Sequence, residues 1–222
     1  MLTQSAVTEY PRLHRQYLRR ASAAAPEAPA GVHMSFARNA EIFAEGESAG
    51  YVYKVVSGVV RVSQLLPDGR RQISAFHLPG DMFGFEMDDL HHATAEAIGP
   101  VKIVAFKWQT LAGAGASTSL VRELLNRTMM GLRHTQDHLL LLGRKNALER
   151  LTAFLLEMAG RLGGKTVFDL AMPRHDIADY LGLTLETVSR MFAELKEMGT
   201  IRLESSRRVH LLDTGKLKAM AA

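Results

Sequence analysis

The hydrophobic period of this chain changes once, and that change limits the available folds more than any other feature. From about Val32 to Trp108 the apolar residues fall in short β-rich runs, YVYKVV, VVRVSQLL, QISAFHL and VKIVAFK, punctuated by glycines at 46, 50, 58, 69, 80, 84 and 99. Such runs, with turn signals at roughly 10-residue intervals, specify an antiparallel sandwich, jelly roll or barrel. Pro67-Asp68-Gly69 is the clearest hairpin turn among them. After the Ala/Gly-rich LAGAGAS, Val121, Leu125, Thr128, Leu132, Thr135, Leu139 and Leu142 recur in alternating steps of four and three. A 3.5-residue apolar period sustained in this way marks a seam between two helices, and so predicts a homodimer. A helix packed against its own barrel is the alternative.

Gly143 interrupts the seam, and Asn146 with Glu149 three residues later reads as the capping box of a new helix with Leu148, Leu151, Leu155 and Met158 facing inward. A loop (RLGGKT), a short apolar run (VFDLAM), two helical segments and a strand pair, IRLE and RVHLLD, complete the chain. At the other end, ASAAAPEAPAG (21–31) reads as a linker behind a short helix carrying Tyr10, Leu13 and Tyr17. The expected units are therefore an arm, short helix and linker (1–31), a jelly roll (32–115), a dimerisation helix (116–143) and a C-terminal helical unit with a strand pair (144–222). The fold class is α+β.

Composition removes several functions. With no cysteine among 222 residues, disulfides, thiolate nucleophiles, thiolate zinc sites and cysteine-ligated clusters are excluded. No apolar run approaches the roughly 18 residues of a membrane span, and MLTQSAVTEYPRLHRQ lacks the apolar core of a signal peptide, so a cytoplasmic location is expected. Arg12, Arg15, Arg19 and Arg20 read as a solvated basic arm rather than an organellar address. A formal charge of +4 is compatible with a polyanionic partner without requiring one.

The most informative stretch is PRHDIADYLGLTLETVSRMFAELKEMGTI. Ile177, Tyr180 and Leu181 supply the inward face of a first helix, Gly182 permits a tight turn, and Thr184 caps a second helix whose inward face is Val188, Phe192 and Leu195. Two short helices so joined form a helix-turn-helix, whose second helix enters the major groove of duplex DNA. Its outward face carries Glu186, Thr187, Ser189 and Arg190. Arg190 can donate two parallel hydrogen bonds to guanine O6 and N7, and Glu186, one turn earlier, can accept from an exocyclic amine while steadying that guanidinium. Ser189 can reach a base or phosphate. The competing reading is an ordinary exposed Glu186–Arg190 ion pair. The strand pair that follows carries Arg202, Arg207 and Arg208, where a winged helix places phosphate contacts; Arg174 opens the first helix and joins the expected DNA-binding set with Thr184 and Thr187.

With FHLPGDMFGFE (76–86), LLLLGRKNALERLTAFLLEMA (139–159) and DIADYLGLTLETVSR (176–190), the chain resembles the cyclic-AMP receptor protein/FNR superfamily of bacterial transcription regulators, most of all its FixK-like branch. The resemblance covers roughly Val32 to the C-terminus. It implies a cyclic-nucleotide-binding-like jelly roll, a winged helix-turn-helix, and an E-x-x-S-R reading pattern for TTGA-type palindromes on Glu186, Ser189 and Arg190. It further implies an activator that contacts RNA polymerase, with Asp68–Arg71 and Asp88–His92 as candidate surfaces. Nucleotide-binding relatives hold the cyclic phosphate with a glutamate and an Arg-Ser pair. Here GFEMDDLHHATAEA keeps Glu86 but offers His92 in place of the arginine, with Asp88 and Asp89 nearby. Neutral histidine lacks the guanidinium fork and the acids repel phosphate, so neither cyclic nucleotide nor another cofactor is expected.

Two rivals remain at this level. One keeps the DNA-binding unit and makes the jelly roll a switch for haem or another ligand. The other is a metal-binding jelly-roll enzyme using His77, His91 and His92, which lacks the paired H-x-H spacing of cupin sites. His134 and His138 stand off the heptad seam and read as solvated positions. No catalytic set and no metal site is expected.

Overall fold

The computed structural model describes residues 31–112 and 118–221; the arm helix expected around Tyr10, Leu13 and Tyr17 lies outside them. The β-rich part forms two four-stranded antiparallel sheets. One has the order β1 (Val32–Phe36), β8 (Val101–Lys107), β3 (Tyr51–Ser57), β6 (Met82–Phe83), and the other β2 (Glu41–Phe43), β7 (Thr94–Ala97), β4 (Val60–Leu65), β5 (Arg71–His77). Their inner faces bury Phe43, Tyr53, Val55, Val60, Phe83, Ala95, Ala97, Val101, Ile103 and Ala105. The alternation that predicted strands is visible in β8, where Val101, Ile103 and Ala105 point inward. The Pro67-Asp68-Gly69 turn joins β4 to β5, with Gly69 at a φ of 84°, a left-handed conformation that glycine adopts without a Cβ penalty.

A short helix α1 (Trp108–Ala112) leads to the long helix α2 (Thr118–Arg144). Helix α3 (Ala147–Arg161) starts with the expected capping box: the Asn146 side chain accepts from the Glu149 backbone amide, and the Glu149 carboxylate accepts from that of Asn146. The C-terminal unit continues with β9 (Val167–Asp169), α4 (Arg174–Leu181), α5 (Leu185–Glu197), β10 (Ile201–Leu203), β11 (Arg208–Leu211) and α6 (Thr214–Met220). Its three strands form an antiparallel sheet in the order β10, β11, β9.

The helix-turn-helix is seated against the barrel. A single apolar cluster joins Ile73, Phe76, Leu78 and Ile98 of the barrel to Phe154, Leu155 and Met158 of α3 and to Ile177, Tyr180 and Leu181 of α4. The Tyr180 ring sits 5.0 Å from that of Phe76 and 5.8 Å from that of Phe154. Around this apolar contact lies an ion cluster that also crosses between the units. Arg61 of β4 donates to both Asp176 carboxylate oxygens at 3.2 and 2.9 Å, and to Glu96 of β7 at 3.0 Å. Arg71 of β5 reaches Asp176 at 2.6 Å and Asp179 at 2.7 and 2.9 Å. The Asp176 side chain is fully buried and also lies 3.1 Å from His175 Nε2.

The two histidines of α2 differ from their sequence reading. Rather than standing in solvent, they are half-buried against the C-terminal unit: His138 stacks on Tyr180 with ring centroids 4.1 Å apart, and His134 Nε2 lies 3.3 Å from the Tyr180 hydroxyl. Positions off the heptad stripe are here a contact face of the helix, one that heptad counting does not see. Burial pushes the His138 imidazole down to about 4, with the neighbouring His134 charge acting in the same direction, and burial alone dominates a similar depression at His77. A base whose folded pKa lies below its unfolded value of about 6.5 takes up its proton more readily when the chain unfolds. Stability should therefore hold above about pH 6.5 and fall as the pH drops from there toward 4. Chemical denaturation followed across that range should give a shallower decline for His138→Gln than for the native chain, whatever the substitution does to stability at neutral pH.

Candidate nucleic-acid interface

Helix α5 owes its start to Thr184, whose hydroxyl accepts from the Thr187 amide at 3.2 Å and lies 3.0 Å from the Thr187 hydroxyl. Gly182, with a φ of 61°, ends α4 and turns the chain into α5; an L-residue there would be strained. Val188, Met191, Phe192 and Leu195 are buried on the inner side of α5. Glu186, Ser189 and Arg190 are exposed together on the opposite side, and Thr187 is half-buried. Among the described residues Glu186 and Arg190 make no salt bridge with each other, so neither group is already occupied by the ion pair that the i,i+4 spacing permits. The exposed Ala193 extends the same face by one turn and leaves room for close approach; being small and nonpolar, it carries no signal that sequence chemistry could have read.

The basic residues around α5 are not equivalent. The Arg174 guanidinium lies 3.1 Å from the centroid of the Phe192 ring. Burial lowers its pKa to about 10, which leaves it a cation at neutral pH while its stem is held by the domain core. Arg207 is exposed on the turn between β10 and β11, where its backbone amide donates to Ser205 Oγ at 3.2 Å. Arg208 is exposed but shared with two carboxylates, Glu204 at 3.4 Å and Asp169 at 3.7 Å. Arg202 lies 3.1 Å from His210 Nδ1, whose other nitrogen is 2.9 Å from Glu204. Hydrogen bonding to His210 and the charge of Arg208 hold the Glu204 carboxyl below its ordinary value. The wing is thus basic with an acidic component.

On α2, Val121, Leu125, Thr128, Leu132, Thr135 and Leu139 are all exposed, whereas Leu142 is partly buried against the C-terminal core. The Thr128 and Thr135 hydroxyls donate to the Leu124 and Gly131 carbonyls of their own helix at 3.0 Å. Both hydroxyls are therefore satisfied within their own helix.

In the barrel, the residues around Glu86 and His92 are bonded among themselves. His92 is exposed and bonded to Asp88 at 3.1 Å, and Glu86 accepts from the His92 amide at 3.3 Å and lies 3.4 Å from His91 Nδ1. The buried His91 ring stacks on Phe43 at 3.6 Å, while Phe43 and Phe83 flank Tyr53 at 5.4 and 5.2 Å. Arg61 and Arg71, the guanidinium groups nearest in sequence to supply an anion site besides the surface pair Arg70–Asp68, are turned toward α4. Among the described residues, no group of three or more His, Asp or Glu is placed to hold a metal.

This arrangement coincides with two family matches: a cyclic nucleotide-binding domain over residues 33–116 and a Crp-like helix-turn-helix domain over residues 149–220. The nitrogen fixation regulation protein FixK of Azorhizobium caulinodans is 49% identical over 86% of this chain and 79% of its own length. The chain belongs to the CRP/FNR family. Within it the likeness is to FixK-type regulators, which are not enzymes. FixK of Rhizobium meliloti is 43% identical over 81% of this chain and 82% of its own. The solved structure of FixK2 from Bradyrhizobium japonicum superposes with a TM-score of 0.83 at 45% identity, covering 87% of this chain and 98% of that one. The CRP/FNR fold expected from the sequence, β jelly roll, long helix and winged helix-turn-helix, is the fold observed.

Proposed function

We propose that this CRP/FNR-family regulator works as a cytoplasmic homodimer that reads a palindrome of TTGA-type half-sites in double-stranded DNA and activates transcription without cyclic nucleotide. One observation carries the reading: Glu186, Ser189 and Arg190 share the exposed side of a helix whose other side is buried. In this assignment Arg190 donates to guanine, Glu186 accepts from an exocyclic amine, and Ser189 bonds a base or phosphate at close range. Thr184, Thr187 and Arg174 hold or flank the start of the helix-turn-helix, and Arg207 and Arg208 meet phosphates from the wing. The units we assign to this work are the arm (1–31), the jelly roll (32–115), the dimerisation helix (116–143) and the DNA-binding domain (144–222).

Dimerisation is supported by the exposed stripe Val121, Leu125, Leu132 and Leu139, between 50 and 70% accessible in one chain. Water contact over so many large apolar groups at heptad spacing is costly, and a second copy of the helix covers them. Two reading helices related by a two-fold axis then match half-sites about one helical turn apart. Independence from cyclic nucleotide is supported by the aromatic packing of Phe43, Tyr53, Phe83 and His91, and by the pairing of His92 with Asp88. For RNA polymerase, the loop Asp88–His92 is the better of the two surfaces: Asp88, Asp89, Leu90 and His92 are exposed, and Met87 beside it is fully so. The end of the other surface, Arg71, is committed to α4.

Arg190→Ala should weaken binding to the palindrome and relax discrimination at one base pair per half-site by about 1 to 3 kcal/mol; competition binding with each base substituted in turn measures both. Unchanged affinity and preference would remove Arg190 from the reading role. Leu139→Glu places a charge in the seam and should give monomers by sedimentation, with binding to the two-half-site duplex lost.

A further inference from the structure

The position of the reading helix is fixed from outside its own domain. Asp176 and Asp179 lie on α4, and their partners Arg61 and Arg71 lie more than 100 residues away on the barrel. Helix α4 in turn holds α5 through Gly182 and through the shared core of Ile177, Leu181, Val188 and Phe192. We infer that the cluster Arg61–Arg71–Asp176–Asp179 is a positioning joint: it sets the separation and angle of the two reading helices in the dimer, and so determines which half-site spacing the protein accepts. This rests on the dimeric DNA-binding reading above.

Three observations carry the inference. Both Asp176 oxygens are used, one shared by Arg61 and Arg71 and the other bonded to Arg61, so the carboxylate cannot rotate without breaking a bond. Arg61 is itself oriented by Glu96, its cross-strand neighbour in the β4–β7 ladder, so the joint is built into the sheet rather than hung on a loop. Finally, the apolar contact that accompanies it, Phe76 against Tyr180, is non-directional and tolerates sliding, whereas guanidinium–carboxylate pairs impose distance and plane. Buried ion pairs add little net stability over well-packed apolar groups, and in some proteins they set register instead. The geometry therefore points to orientation as their use.

The consequence is measurable because DNA converts small displacements into large mismatches. Adding one base pair between half-sites moves the second by roughly 3.4 Å and turns it by roughly 34°. A rigid joint cannot follow that change, and a loosened one can. The experiment is competition binding of the full-length dimer to duplexes bearing the same two half-sites at the preferred spacing and at spacings one base pair longer and shorter. The native chain should prefer its spacing by about tenfold or more, equivalent to about 1.4 kcal/mol. Arg71→Gln should reduce that ratio to about threefold or less while base preference within each half-site stays as it was. Asp179→Asn should act in the same direction to a smaller extent, because among the described residues Asp179 bonds Arg71 and not Arg61, and Arg71→Lys should fall between. A joint that only stabilised the fold would lower the melting temperature and leave the spacing ratio intact; that result in folded, dimeric Arg71→Gln, or in Asp179→Asn if the former does not fold, overturns the inference and leaves the DNA-binding reading standing. A native protein indifferent to spacing overturns the dimeric reading, and the inference with it.

Discussion

The seating of helix α4 between the barrel and the long helix α2 is the constraint on which the rest of the molecule depends. Tyr180 fills the space among Phe76, Phe154 and His138, and the buried Asp176 ties α4 to two arginines of adjacent strands. The apolar part supplies adhesion, since large rings removed from water are worth a few kcal/mol each. The charged part supplies direction. Together they hold a helix-turn-helix that exposes Glu186, Ser189 and Arg190 while Val188, Phe192 and Leu195 are buried, the condition for a side chain to meet a base edge without unfolding anything.

What sequence made legible follows from how each feature is encoded. The period change, the Pro-Asp-Gly turn, the capping box at Asn146 and the turn at Gly182 are local, and local chemistry reads them directly. The face that carries Glu186, Ser189 and Arg190 follows from the 3.6-residue spacing of Val188, Phe192 and Leu195. The ion cluster was not legible, because Arg61 and Arg71 look like ordinary polar positions of alternating strands and nothing in their neighbourhood names partners more than 100 residues away. His134 and His138 escaped for a related reason: the face of α2 that packs on Tyr180 lies off the heptad stripe, and a heptad count follows one stripe only. Glu204 of the wing and Asp169 of the neighbouring β9 temper the basic patch at Arg208, a pairing that only the fold brings together.

The jelly roll raises a separate point about inherited folds. Its sheets match a cyclic nucleotide-binding domain, yet the groups that would hold a phosphate are paired among themselves, and aromatic rings occupy the space between the sheets. A fold does not dictate what its site does. In this chain β4 and β5 also present Arg61, Arg71 and Phe76 to the DNA-binding domain.

The central claim is that two copies of α5 read duplex DNA through their exposed face. Selection of bound fragments from random duplex DNA, at a stated salt concentration, tests it most directly. The account predicts convergence on two inverted copies of one short motif, centred about one helical turn apart. Recovery of a motif without two-fold symmetry, or retention of random duplexes as tightly as any palindrome, would contradict it.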